Sequence, residues 1–479
     1  MSQPASRCAT RREVLKATLA VTLAGGPFGA YAFASPRRAR LGPNGKLAVA
    51  KIACGGMGEA DLREISSHPD VVIVGLADVD RGILARAGKD DKGNDAFKDV
   101  PRFADWREML IKLGDKFDAV SVSTPDHSHA IASMKAIELK KHVYTQKPLA
   151  RAASENRMLA DAAKANPTLV TQMGTQRSAR SARRFAYELV KRGVVGKIRA
   201  MHAWTDRPAG WWPSGKPRPT GEDAVPETLS WNLWLGPAPT RPYKKDVYHP
   251  FNWRGTRDFG TGAFGDMACH ILDMPFYALQ LGYPTVVTCD APDATDDEYP
   301  NQQTVRMKFA PTPMTAPDGC ELVWFDGGRL PDFKGLGLPE TLKPQKDGKP
   351  DADGRLPLPS DGAAILVGDA GVLVIPIEGQ NAYAYVDGKV KLFDTPNNAS
   401  AIEVPKSTNH WHDWIDACLG RGKARAPFEL AGLMCEALAV GAVASRYVGK
   451  TLKYDAKAMA FEGIADSHEQ LAPTWRTGW

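Results

Sequence analysis

"KLAVAKIACGGMG", Lys46 to Gly58, is an apolar run that ends in a glycine turn, and its reading decides the fold. A nearly continuous apolar strand is the mark of a parallel sheet covered by helices on both faces. The chain beyond it repeats the message. "EADLREISSH" reads as helix, "DVVIVGLADVD" as strand, "DWREMLIKLG" as helix, "FDAVSVSTPDHSHA" as strand and turn, "IASMKAIELKK" as helix and "HVYTQKPLA" as strand again. This alternation predicts an α/β fold, a Rossmann-type doubly wound parallel sheet over residues 46–172.

The glycine turn carries the first chemical signal. A dinucleotide turn needs glycines so that backbone can approach a pyrophosphate at a helix N-terminus, and an acid about 20 residues later for the ribose hydroxyls. Gly55 and Gly58 fit G-x-G-x-x-G, with Gly56 and Met57 between them and Ala53 in the first glycine position. Asp78 closes the second strand and favours NAD by repelling a 2′-phosphate, while Arg81 keeps NADP open. A glycine turn without a ligand would not need that acid. "STPDHSHA", Ser123 to Ala130, reads as a second turn at the same sheet edge. Thr124, Pro125, His127 and His129 are expected to line the cofactor pocket there, a plain helix cap being the alternative for the histidines. No carboxylate or cysteine is spaced to make them a metal site.

From residue 173 the texture changes. One helix, "ARRFAYELVKRG", precedes "IRAMHAWTD", "TVVTCDAP", "TVRMKFAP", "CELVWFDGG", "AAILVGDAGVLVIPI" and "NAYAYVDGKVKLFD". Successive strands with hairpin turns predict a largely antiparallel open sheet in an α+β domain over 173–479. Residues 330–362, rich in Pro, Gly, Lys and Asp, read as a surface loop or insertion. Helices in "NHWHDWIDACLG" and "ELAGLMCEALAVGAVASRYVG" close the chain.

"FGTGAFGDMACHILDMP", residues 259–275, carries a polar stripe in an apolar helix. Asp266, His270 and Asp273 stand at i, i+4 and i+7, on one helical face. Buried polar groups cost free energy unless paired or used. A histidine whose ring a carboxylate holds is suited to proton transfer near neutral pH; a metal site or a satisfied core histidine are the alternatives. Lys147, an isolated cation at the end of an apolar strand, is either solvated or catalytic. In the second half Trp204, Arg207, Trp211, Trp212, Trp253, Arg254 and Asp258 gather near the expected pocket mouth. Aromatic faces beside polar groups suit a sugar ring, although exposed tryptophans also serve interfaces.

Composition and the N-terminus bound the setting. A chain of 479 residues, 43% hydrophobic and 24% charged, buries a large core and is not expected to be disordered. The net charge is +6, half of it from Arg7, Arg11, Arg12 and Lys16 set against Glu13, which leaves too little for a nucleic-acid partner. "TRREVLK", Thr10 to Lys16, then "ATLAVTLAGG" and "AFA", Ala32 to Ala34, read as a twin-arginine export signal over 1–34, followed by a linker over 35–45. Its apolar stretch is short for a spanning helix, so the expected setting is periplasmic or otherwise exported, with the Tat machinery as a transient partner and no membrane association of the mature chain. Of the seven cysteines, Cys8 leaves with the signal, and no Cys/His cluster has zinc spacing.

Taken together, the glycine turn, "STPDHSHA", "VYTQKPLA", "GDMACHILD" and the closing helices resemble the Gfo/Idh/MocA oxidoreductase family. The resemblance covers the chain after the signal. It implies a nicotinamide cofactor, NAD with NADP as an alternative, a sugar or polyol substrate and a homo-oligomer built on the second sheet; the twin-arginine route, which moves folded proteins, adds the expectation that the cofactor is loaded first and tightly held. The family's Glu-Lys-Pro signature falls on Gln146, Lys147 and Pro148, its substrate-side Asp and His on Asp266 and His270. Lys147 is then expected to hold or relay the substrate hydroxyl proton, His270 to act as general base or acid, and Asp266 to orient it or bind an adjacent hydroxyl. Trp204, Arg207, Trp253, Arg254, Asp266 and His270 are the expected substrate contacts; Gln146 and Lys147 complete the cofactor set. An ordinary lysine titrates near pH 10.4, so proton work at neutral pH requires desolvation and neighbouring positive charge. Gln146 departs from the family glutamate by keeping hydrogen bonds and losing a charge. The implied reaction is oxidation of a sugar, polyol or glycoside hydroxyl. A redox-neutral glycosidase or lyase of the same family is the alternative, and a non-catalytic sugar-binding protein the third.

Overall fold

Leu47–Ile52 forms β1, buried at every position. It pairs in parallel with β2 (Val71–Ala77) on one side and β4 (Ala119–Val122) on the other. A two-residue β3 (Arg102–Phe103), β5 (His142–Gln146) and β6 (Thr171–Gly174) complete a parallel sheet of order β3-β2-β1-β4-β5-β6. The order reverses between β1 and β4, where such sheets open a ligand crevice at their carboxyl edge. The computed structural model describes residues 45–292, 295–340, 342–343, 357–377, 382–392 and 409–479. The export signal read over 1–34, and all but the last residue of the linker over 35–45, lie outside the described residues.

The covering helices form for local reasons. Met57–Ser66 turns Gly58, Asp61, Leu62 and Ile65 inward at helical spacing. Trp106–Leu113 buries Trp106, Met109, Leu110 and Leu113, and its cap Asp105 accepts from the Arg107 backbone N–H, a contact worth ~1 kcal/mol. Asp80 caps the helix Arg81–Arg86 in the same way, accepting from Gly82 and Ile83. That helix and β3 escape the sequence pattern because neither is long enough to display a period.

The second sheet has the order β16-β15-β14-β13-β7-β10-β9-β8-β17-β18. Its strands are β7 (Ile198–Thr205), β8 (Pro284–Asp290), β9 (Gln303–Phe309), β10 (Cys320–Asp326), β13 (Gly362–Gly368), β14 (Val372–Pro376), β15 (Tyr383–Val386), β16 (Lys389–Leu392), β17 (Leu452–Asp455) and β18 (Ala460–Phe461). Every neighbouring pair is antiparallel except β7 with β10. At the β15–β16 turn Asp387 and Gly388 take φ 50° and 72°, the left-handed pair a two-residue hairpin requires. The segment read as a surface loop, 330–362, is more than that where it is described. β11 (Leu342–Lys343) pairs with β12 (Leu358–Pro359), and Phe333, Leu338 and Leu358 pack with Trp204, Ala363 and Ile365 on one face of the large sheet.

Two closing helices join the halves. His410–Cys418 returns to the first sheet, where Trp414, Ile415 and Cys418 share a core with Leu47, Val49 and Tyr144. Phe428–Ala444 lies against the helix Gly262–Ile271. At Gly441 a Cβ would stand 2.3 Å from the Phe264 ring, so only glycine permits that approach. Cys54, Cys269, Cys289, Cys320, Cys418 and Cys435 are buried and free. Among the described residues no helix is long and apolar enough to cross a membrane.

Candidate active site

The carboxyl ends of β1, β2 and β4 open into a cavity of about 800 Å³. Its floor is the glycine turn. Ala53 takes φ 63°, a left-handed conformation that favours glycine, in the first glycine position of the motif. A Cβ on Gly58 would lie 2.3 Å from the Ala53 carbonyl oxygen, while beyond Gly56 the space is open. One glycine lets helix meet strand, the other leaves room for a ligand at the helix N-terminus.

Asp78 stands on the cavity wall. Its carboxylate accepts from the backbone N–H of Cys54 (2.8 Å) and of Asp80 (2.9 Å). Burial raises it above the usual carboxylate range despite those two donors. Arg81 is turned away, its guanidinium donating to the Glu227 carbonyl. Thr124 lines the cavity with a buried hydroxyl that has no partner among the described residues. A pyrophosphate-ready turn, a fixed acid at the ribose position and an orphaned hydroxyl between them fit a nicotinamide dinucleotide. Trp234, His249, Trp253 and Arg254 close the cavity from the second half.

Beside it lies a charged cluster. Lys147 Nζ stands 2.7 Å from Asp266 Oδ1 and 3.1 Å from the Asp266 carbonyl. Arg207 Nη1 and Arg254 Nε each stand 3.6 Å from the same carboxylate. Burial would raise Asp266, but Lys147, Arg254 and Arg207 hold it below the usual range. His270 is buried, and among the described residues its Nδ1 has no hydrogen-bond partner. Burial first, then Lys147, Arg177, Arg183 and Arg207, push its imidazole well below the ordinary histidine value. The site thus sets a fixed carboxylate and a neutral imidazole around one ammonium. Among the described residues no group of three His, Cys, Asp or Glu is placed to hold a metal ion.

Residues 47–173 match the model described as the oxidoreductase family's NAD-binding Rossmann fold, and residues 202–332 match that family's C-terminal alpha/beta domain. This chain belongs to the Gfo/Idh/MocA oxidoreductase family. It is similar to levoglucosan dehydrogenase from Pseudarthrobacter phenanthrenivorans, 25% identical over 175 residues, 36% of this chain and 35% of that protein. It is also similar to inositol 2-dehydrogenase from Rubrobacter xylanophilus, 25% identical over 168 residues, 34% of this chain and 45% of that protein. The chain therefore spans less than half the length of either curated relative. Among solved structures, WlbA dehydrogenase from Bordetella pertussis in complex with NADH and UDP-GlcNAcA shares the fold at TM-score 0.56 and 14% identity, covering 86% of this chain and 99% of that one.

This Gfo/Idh/MocA site departs from the sequence reading in several places. Trp204 is wholly buried in the sheet core, its indole N–H donating to Pro359, and is not a substrate contact. His127 and His129 are buried off the cavity. His127 Nε2 faces the Trp234 carbonyl at 3.0 Å, and His129 faces the carbonyls of Pro148 and Thr124 at 2.8 and 2.7 Å. The helix stops at Ile271, so Asp273 begins a second short helix and pairs with Arg183 instead of extending the stripe. Asp266 serves Lys147 and the arginines, not the His270 ring. Gln146 is not in the cavity wall. It lies beneath, its amide donating to Asp61 at 2.9 and 3.0 Å. Trp212 is buried, and Asp258 pairs with Arg241 and Arg218. Trp253 and Arg254 line the cavity, and Arg207 lies outside its wall, 3.6 Å from the Asp266 carboxylate.

Two acids were missed. Asp126 is buried next to the cluster and accepts from Thr261 Oγ1 at 2.9 Å; burial, with Asp266 adding to it, raises its carboxyl to about 7. It sits inside "STPDHSHA" between Pro125 and His127, where nothing in the sequence sets it apart from a helix-capping acid. Asp61 accepts from Gln146, Ser123 and the Trp411 indole and pairs with Lys51 at 4.0 Å. Nothing local marks it, because its partners come from three other elements and the turn after β4.

Proposed function

We propose that this chain is an NAD-dependent oxidoreductase acting on a hydroxyl of a sugar, polyol or glycoside. One observation carries the reading: Lys147 from the first half meets Asp266 from the second at 2.7 Å beside the glycine-turn cavity. Gly56, Asp78 and Thr124 would hold the cofactor, whose nicotinamide supplies the two-electron oxidation of a carbinol carbon when bound. NAD is favoured over NADP by Asp78 and by the turned-away Arg81. Lys147 Nζ donates to the substrate hydroxyl oxygen and stays positioned by Asp266. His270, kept neutral by burial and by the surrounding cations, offers Nδ1, which has no partner among the described residues, as the acceptor of the hydroxyl proton; the same burial and cations make it a weak base, so the proton leaves as hydride transfer makes the hydroxyl acidic. Trp253 and Arg254 line the mouth and orient the ring.

The dehydrogenases to which the chain is similar support the substrate class. The twin-arginine pattern Thr10–Lys16 supports export with the cofactor loaded before transit, and the family resemblance supports a homo-oligomer. The deciding experiment purifies the protein without added cofactor, identifies nucleotide released on denaturation, and follows absorbance at 340 nm with sugars, polyols and aryl glycosides. Bound NAD with reduction and ketone formation is the expected result. Glycoside cleavage without net reduction would move the reading to the redox-neutral glycosidase, and failure to bind any dinucleotide would end both.

A further inference from the structure

Three cations crowd one carboxylate in this site. Lys147, Arg207 and Arg254 lie 2.7, 3.6 and 3.6 Å from Asp266. Among the described residues two further acids stand beside these cations: Asp206 is exposed next to Arg207, and burial raises Asp126 to about 7, so neither offsets them in full. Arg177 adds to the positive field at His270. Like charges gathered at a half-buried mouth destabilise the chain unless a counter-ion joins them.

The arginines are also held as if for a ligand. The Arg207 guanidinium lies 3.5 Å from the Trp211 ring centroid, and Arg254 lies 4.1 and 4.4 Å from the Phe251 and Trp253 rings. Stacking fixes a planar fork without consuming its donors. Among the described residues the Arg207 guanidinium donates no hydrogen bond, and its Nε is buried. Among the described residues Arg254 donates only to the Phe251 carbonyl, at 2.9 Å. Unused, directional N–H groups of this kind recognise carboxylate or phosphate in bidentate fashion. Trp211 is 47% exposed and offers a flat apolar face next to them.

We infer that the substrate is an anionic sugar, one bearing a carboxylate or phosphate that Arg207 and Arg254 grip while the ring lies along Trp211. The inference rests on the oxidoreductase reading for the identity of the site. Calorimetric titration of the NAD-loaded protein with glucuronate, glucose 6-phosphate and glucose tests it, with turnover at 340 nm measured in parallel. At least one anionic sugar is expected to bind about tenfold or more tighter than glucose. The comparison of the two anions says which group is read. That preference should shrink as salt is raised and disappear in Arg254→Gln and Arg207→Gln; the salt series on unmodified protein stands if a variant fails to fold. Equal or tighter binding of glucose, or no binding of either anion, overturns the inference. If glucose is oxidised without anionic preference, the inference falls and the oxidoreductase reading stands. If an anion is preferred and nothing is oxidised, the reverse holds.

Discussion

Lys147 Nζ is held by Asp266 at 2.7 Å and lies outside the cavity wall, so its removal separates binding from chemistry. Lys147→Met should leave the released NAD content unchanged, because the turn, Asp78 and Thr124 form the cofactor wall without it. It should lower kcat by about 10²-fold or more, the usual scale for a proton-handling group. Unaltered turnover would remove Lys147 from the mechanism. Asp126 offers a thermodynamic test. An aspartate in an unfolded chain titrates near 3.9, whereas burial raises Asp126 to about 7. Between those values the folded state binds the extra proton, so stability contributed by this group is lost as pH rises through the window. Asp126→Asn keeps an acceptor for Thr261 and cannot ionise. Its melting temperature relative to the parent should therefore climb from about pH 5 to about pH 8; parallel curves would show that Asp126 does not titrate there.

At the level of elements, the departure of Gln146 from the family glutamate finds its reason. Its amide N–H groups point at Asp61 on the helix Met57–Ser66, and the same carboxylate accepts from Trp411 of the helix His410–Cys418 at 2.8 Å. Lys51 of β1 supplies the counter-charge. The Gln146 carbonyl in turn accepts from the Lys147 backbone N–H at 3.2 Å, so this network extends to the backbone of Lys147. A glutamate at 146 would press a second carboxylate against the first. Gln146→Glu should cost about 2–4 kcal/mol of stability, read from urea denaturation, and Asp61→Asn in the same chain should recover much of it. Additive losses would mean that the pair does not interact. The contrast shows what a sequence can and cannot disclose. The Gln for Glu exchange was visible because it interrupts a pattern. Its partner lies 85 residues away on a helix whose periodicity looks ordinary. Strands and long helices were legible because burial imposes a period on them, whereas Asp126, Asp61 and the burial of Trp204 depend on which elements the fold brings together.

Over the whole molecule, the chain order and the spatial order disagree at the C-terminus. The helix His410–Cys418 follows the second sheet in sequence but buries Trp414 in the core of the first, against Tyr144 at 5.5 Å between ring centroids. The helix Phe428–Ala444 then packs on the site helix, so neither half is complete without residues supplied through the other. The physical consequence is cooperative unfolding. Scanning calorimetry should give a single transition, and a saturating excess of NAD should raise it as one; a hundredfold excess over Kd corresponds to about 2.7 kcal/mol. Trp414→Ala removes a wholly buried indole and should cost about 3–5 kcal/mol. Because the lost contact supports β1 and the glycine turn, it should also weaken NAD retention, although Trp414 lies outside the cavity. Trp414→Phe should keep most of both. Two separated transitions, only one of them sensitive to NAD, would show instead that the halves unfold independently and that the returning helix is a surface attachment.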